Sequence, residues 1–309
     1  MRIHSADSTD GPRTVVGVDG SEHGRAASLW GAATAVRHRH GLRLVHAADL
    51  DRLDRFSSFE TSEHVRDKAE TLLAEAAQEI RQRFPELDLT VKLSRKRPVP
   101  ALHAAARPGD TIVVGSRGSG GFGPLLLGSV GLEAVIGSPV PVVVVRGEPE
   151  RDDGAPVTAA VEDEHDVVWL VRAVREAQAR GRPLLLLHVR NKLATSGSRA
   201  ASPGGAAQPA GPGEYFLKDL ASRLRVDSPG LTVQTEVVTA RSTASALVET
   251  SREAGLLVMG SRERRSGPVL GVGHVVHALL HHSRCPVEIV PCTRDERGVA
   301  EEHYGEDED

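Results

Sequence analysis

Aromatic side chains are scarce: five Phe, two Trp and two Tyr in 309 residues. The cores must therefore be built from Val, Leu, Ala and Ile, which an apolar fraction of 39% allows. Cysteine is scarcer still, with Cys285 and Cys292 alone, in CPVEIVPC. If that segment is a strand, a rise of roughly 3.3 Å per residue sets them about 23 Å apart, too far for a disulfide within it. This usage fits a reducing cytosol, and a cytoplasmic location is expected. No apolar run of about 18 residues exists, so no membrane-spanning helix is expected. The N-terminal MRIHSADSTDGPR lacks the apolar centre of a secretory signal. Neither charge sign dominates: 38 basic and 42 acidic residues give a net charge of −4. That balance offers no electrostatic reason for a nucleic-acid or anionic-membrane partner. Two common nucleotide signatures are also missing, since there is no GxxxxGK(S/T) loop and no GxGxxG after the first strand.

What is present is a repeat. Thr111–Arg117 (TIVVGSR) recurs as Leu256–Arg262 (LLVMGSR), 145 positions on, and the same offset aligns Gly128 with Gly273 and Pro141-Val142 with Pro286-Val287. Leu44–His46 recurs as Leu186–His188 at offset 142. The period is domain-sized, so the chain is a duplicated domain, spanning 13–146 and 157–291. Strands are expected near 13–18, 42–47, 88–93, 111–115 and 141–146, with helices near 22–39, 62–83, 98–106 and 129–137. The second copy places strands near 157–161, 184–189, 232–238, 256–260 and 286–290, with helices near 165–179, 214–225, 242–253 and 272–282. Apolar runs such as VPVVVV and PLLLLHV read as strands buried on both faces, the mark of a parallel sheet. The fold class is α/β, with two tandem doubly wound open sheets of five parallel strands each. Residues 191–213, rich in Ala, Gly, Pro and Ser, read as a disordered loop, 147–155 as a linker, and 1–12 and 293–309 as polar tails.

The chemistry concentrates after the fourth strand, at Val114-Gly115-Ser116-Arg117-Gly118 and on to Gly128-Ser129-Val130. Gly115 and Gly118 would let the backbone turn sharply and approach a ligand. Glycine-rich backbone presents N–H groups to phosphate oxygens. Gly128-Ser129 opens the next helix, where Ser129 reads as N-cap and an anion is favoured. The first strand ends Gly17-Val18-Asp19. An acid there suits an adenine amino group or ribose hydroxyls, or caps the following helix. If strands 1 and 4 adjoin where strand order reverses, Asp19 and the glycine loop share one crevice.

Gly115, two residues, Gly118, nine residues and Gly128-Ser129, together with VGVDGS, closely resemble the ATP-binding branch of the universal stress protein family. The resemblance spans roughly 13–146 and 157–291. It implies an adenine nucleotide alpha hydrolase-like fold with strand order 3-2-1-4-5 in each copy, and ATP, with or without Mg²⁺, at the switch point. Carried over by position, Asp19 and the backbone of Ala47 would contact adenine or ribose. Gly115, Gly118, Gly128, Ser129 and Val130 would hold ribose and phosphates, and Gly17, Val18, Val114 and Arg117 complete the expected set. Members commonly dimerise through the fifth strand. A homo-oligomer, or an internal pseudo-dimer pairing 141–146 with 286–290, is therefore expected.

The second copy departs from the pattern. Glu263 replaces the second glycine, His274 the serine, and Glu162 the aspartate. A carboxylate in a phosphate nest repels the ligand, so weak or no ATP binding is expected there; Arg262, Arg264 and Arg265 are the alternative anion ligands. His274, His277, His281 and His282 with Cys285 form a His-rich stretch, read as a solvated helix face with metal chelation as the alternative. His46 and His188 read as structural. Ser116, Ser119 and Ser129 are candidate phosphorylation sites.

The leading functional expectation is an ATP-binding stress-response regulator acting as a nucleotide-dependent switch or chaperone-like modulator of an unidentified protein partner. The alternatives are a slow ATPase, for which Arg117 offers a cation but no base is evident, and a nucleotide-free scaffold.

Overall fold

The computed structural model describes residues 11–118, 127–146, 154–191, 211–261 and 272–292. In the first half, β1 (Arg13–Gly17), β2 (Gly41–Ala47), β3 (Leu89–Ser94), β4 (Thr111–Gly115) and β5 (Val142–Val145) alternate with α1 (Glu22–His38), α2 (Leu50–Phe56), α3 (Phe59–Arg83), α4 (Pro98–His103) and α5 (Ser129–Val135). The second half carries β6 (Val157–Ala160), β7 (Leu184–Asn191), β8 (Val233–Ala240), β9 (Leu256–Ser261) and β10 (Val287–Pro291). Its helices are α6 (Val167–Arg180), α7 (Pro212–Asp227), α8 (Thr243–Thr250) and α9 (His274–His282). The segment expected to be a loop over 191–213 is bounded more tightly, because Asn191 ends β7 and Pro212-Gly213 begin α7. Its remainder, 192–210, lies outside the described residues.

Each half has strand order 3-2-1-4-5, all parallel, and the two sheets join edge to edge as β3-β2-β1-β4-β5-β10-β9-β6-β7-β8. Among the described residues the joint is the only antiparallel pairing, Val142 with Ile289, Val143 with Glu288 and Val144 with Val287. The fifth strands of the two halves thus pair with each other within one chain. α1, α3, α6 and α7 cover one face of the sheet. α4, α5, α8 and α9 cover the other.

The joint is reinforced by buried ions. Glu288, the second residue of β10, is fully buried, and Arg172 Nε donates to its Oε1 at 2.5 Å. Arg172 Nη2 also donates to Thr111 Oγ1 at 2.9 Å, reaching into the first half. Glu176, equally buried, accepts from Arg180 Nε at 3.2 Å, and His38 Nε2 stands 2.9 Å from its other oxygen. The Arg180 guanidinium lies 5.1 Å above the Trp30 ring of α1, within cation–π range.

One helix was not expected. α2 is short and carries two carboxylates, Asp51 and Asp54, both paired with Arg95 just beyond β3. Asp49 begins it in a left-handed conformation, φ 47°.

Candidate functional site

The sheet order places β1 beside β4, so the loops leaving their C-terminal ends adjoin. The chain leaves β1 through Val18, whose N–H donates to Val45 O and whose carbonyl accepts from His46 Nδ1 at 2.6 Å. That bond fixes the His46 tautomer with its proton on Nδ1. His188 Nδ1 makes the equivalent bond to Val161 O at 3.1 Å in the second half. Both histidines hold strand ends together, as their sequence positions suggest.

Asp19 does not cap α1. Ser21 does, accepting from Gly24 N at 3.0 Å. Asp19 instead anchors the cap: its Oδ1 accepts from Ser21 N at 3.0 Å and from Ser21 Oγ at 2.6 Å. Its other oxygen, Oδ2, faces the glycine loop. A Cβ on Gly118 would stand 2.8 Å from it. Asp19 and the loop therefore converge on one crevice.

The sharp turn expected of the glycines is not what requires them. Neither Gly115 nor Gly118 has a left-handed φ, so no sharp turn demands them. Gly115 is required by packing, since a Cβ there would lie 2.7 Å from the backbone of His23. Gly118 is required by its approach to Asp19. The loop returns at Gly128, whose N–H donates to Ser116 O at 2.8 Å, and a Cβ there would lie 3.4 Å from Arg117 Cα and Gly118 N. Ser129 is not the N-cap either; Gly128 holds that position and Ser129 is the first helical residue, exposed. Val130 is half-buried against the core beneath α5. Gly17 and Val114 belong to the strand frame: Val114 is buried, and a Cβ on Gly17 would meet it and Leu102. Ala47 ends β2, paired with Ser94. Residues 119–126 of the loop, Ser119 included, lie outside the described residues.

The equivalent place in the second half is built differently. A Cβ on Gly260 would stand 2.6 Å from the Trp169 ring and 2.8 Å from Cys292 Sγ, where Gly115 instead meets helix backbone. Trp169 is buried, and its Nε1 donates to Asp166 Oδ1 at 2.9 Å. Asp166 Oδ2 accepts from Glu162 N at 2.6 Å. An indole held by a carboxylate thus packs against the end of β9. The sequence reasoning missed Trp169, although a Trp three residues after an Asp at a helix start was the available signal. Glu162 is exposed, and Glu263, Arg262, Arg264 and Arg265 lie outside the described residues.

His274 is exposed at the first position of α9. His277 and His281 stack, ring centroids 4.3 Å apart. Burial, together with His277, His282 and Arg146, lowers the His281 pKa and favours its neutral form. Cys285 is buried and Cys292 half-buried. No helix among the described residues is long and apolar enough to cross a membrane.

The sequence matches the model of the Universal stress protein family twice, over residues 12–146 and 156–291. It is 30% identical over 285 residues to a universal stress protein of Mycobacterium tuberculosis, covering 88% of this chain and 95% of that one. A universal stress protein of Mycolicibacterium smegmatis is 26% identical over 297 residues, covering 89% and 96%. The crystal structure of a universal stress protein from Archaeoglobus fulgidus superposes with a TM-score of 0.68 at 18% identity, covering 92% of this chain and 99% of that one.

Proposed function

The chain belongs to the universal stress protein family, and from that premise we propose that it is a stress-response regulator that binds one ATP, in its first half. The observation that carries the reading is the meeting of Asp19 with Gly118 above the adjoining ends of β1 and β4. Ligands of doubly wound sheets bind at such a reversal of strand order. Asp19 Oδ2 offers an acceptor to ribose hydroxyls or an adenine amino group, Ala47 offers backbone, and the glycine loop with Gly128 and Ser129 offers N–H groups and a hydroxyl to the phosphates. Arg117 adds a cation. Mg²⁺ would accompany the triphosphate.

The second half is proposed to be empty, because Trp169 occupies the space over Gly260 and Glu263 adds a carboxylate to the loop. Function then rests on a population shift between nucleotide-bound and free forms, read by a protein partner in the cytoplasm.

The test is to denature the purified chain, quantify released nucleotide, and titrate ATP calorimetrically into nucleotide-stripped protein. One ATP per chain supports the reading, and two would make the second half a working site. Absence of any ATP binding would leave a nucleotide-free scaffold as the better account.

A further inference from the structure

Beside the nucleotide crevice, over β4, β5 and the start of β10, lies a second cavity of about 190 Å³. It has room for several waters at ~30 Å³ each. Three arginines line it, one from the glycine loop (Arg117), one from the end of β5 (Arg146) and one from just before β10 (Arg284), together with His23, Ser116 and Ser283. Among the described residues, no carboxylate lines it. Arg146 is half-buried and spends one donor on Leu280 O, at 2.5 Å. Burial, then the Arg117 and Arg284 charges, depress its pKa to about 10. Like charges are thus held close together at a cost to Arg146, which an anion would relieve. Ser283 supplies a second, independent pointer. It is 3% exposed, and among the described residues its buried hydroxyl has no hydrogen-bond partner, an arrangement that a native interior rarely leaves unexplained.

We propose that this cavity, between the two halves, is a binding site for a phosphate-class oxyanion. The guanidiniums of Arg146 and Arg284 match the oxygens of such a group, and the Ser283 hydroxyl donates to it. Arg117 and Ser116 come from the glycine loop, whereas Ser283 and Arg284 come from the second half. An anion here ties the loop of the first half to the seam, which gives the second half a role without a nucleotide of its own. The source is either a free anion or the terminal phosphate of a nucleotide in the neighbouring crevice.

The test uses the full chain, stripped of nucleotide, in a phosphate-free and sulfate-free buffer. Pyrophosphate and inorganic phosphate are titrated calorimetrically into wild type, Arg284→Ala and Ser283→Ala, with and without saturating AMP, and urea midpoints confirm that each variant is folded. One saturable anion per chain, weakened about tenfold or more by Arg284→Ala and retained with AMP present, supports a free anion. ATP affinity falling about tenfold in Arg284→Ala while AMP affinity holds, with no free anion bound, supports the nucleotide's own phosphate. The proposal is overturned if no anion binds at millimolar concentration and ATP affinity is unchanged in Arg284→Ala. It is equally overturned if an anion binds but neither variant weakens it. Because the anion titrations need no nucleotide, they remain decisive even if ATP does not bind at all.

Discussion

Gly118 leaves room for Asp19: a Cβ at position 118 would stand 2.8 Å from Asp19 Oδ2. The two are far apart in sequence, and Asp19 also anchors the cap of α1 through Ser21. A side chain at 118 therefore disturbs both the crevice and the helix start beside it.

Gly118→Ala should displace the Asp19 carboxylate and weaken ATP binding by about tenfold, roughly 1.4 kcal/mol. Gly118→Glu sets a second carboxylate against Asp19 and should abolish binding. Calorimetric titration of ATP into both variants checks this, and unaltered affinity in Gly118→Glu would remove Asp19 and the loop from the site.

Gly260→Ala probes the other crevice. Its Cβ would meet the Trp169 ring at 2.6 Å, an overpacking expected to cost about 1–3 kcal/mol. The urea midpoint should fall, while the ATP stoichiometry of the folded protein stays at the wild-type value. A loss of bound ATP in folded Gly260→Ala would count against a nucleotide site confined to the first half.

The seam offers a sharper test. Arg172→Ala leaves Glu288 buried without its Arg172 partner and cuts the bond to Thr111, which should destabilise the chain by about 3–5 kcal/mol. Replacing both members, as Arg172→Met with Glu288→Leu, should cost less than the single change, because an apolar pair needs no compensation. Chemical denaturation of the three proteins decides it, and additive losses would show that the pair does not act as a unit.

Acid stability follows from the same network. Burial by itself would raise the Glu176 pKa, but His38, Arg172 and Arg180 outweigh it and hold the carboxyl at about 2, against 4.5 ordinarily. A depressed carboxyl stabilises the fold above its unfolded pKa, and that contribution is lost as pH falls from about 4.5 toward 2. Glu288 has the opposite sign: burial raises its pKa, so its contribution is present at low pH and lost as pH rises through the folded value. Glu176→Gln should therefore flatten the drop in urea midpoint between about pH 6 and pH 3. A drop equal to that of wild type would place the acid sensitivity elsewhere.

Much of this was legible beforehand, for a physical reason. Strands buried on both faces read as unbroken apolar runs such as Val142–Val145, and the alternating amphipathic stretches read as helices, so element order and the parallel sheet emerge from local pattern. The convergence of Asp19 with Gly118 was legible because the family resemblance implies the strand order. α2 was not, since seven residues hold little periodicity and Arg95 from beyond β3 pairs both of its acids. Nor was the reason for Gly115, which is the backbone of His23 and not a left-handed turn.

The sequence by itself determined the duplication, the strands and helices, and the glycines near the crevice, because apolar period and the lack of a Cβ act over short range. Tertiary structure decided where the charges go. Glu288 sits inside a run of apolar strand residues, and only Arg172, brought in from α6, makes its burial tolerable. Arg146 follows β5 and Arg284 precedes β10; they share a cavity because those two strands run antiparallel. An antiparallel joint sets the end of one strand beside the start of the other, and no pattern local to either segment encodes that meeting.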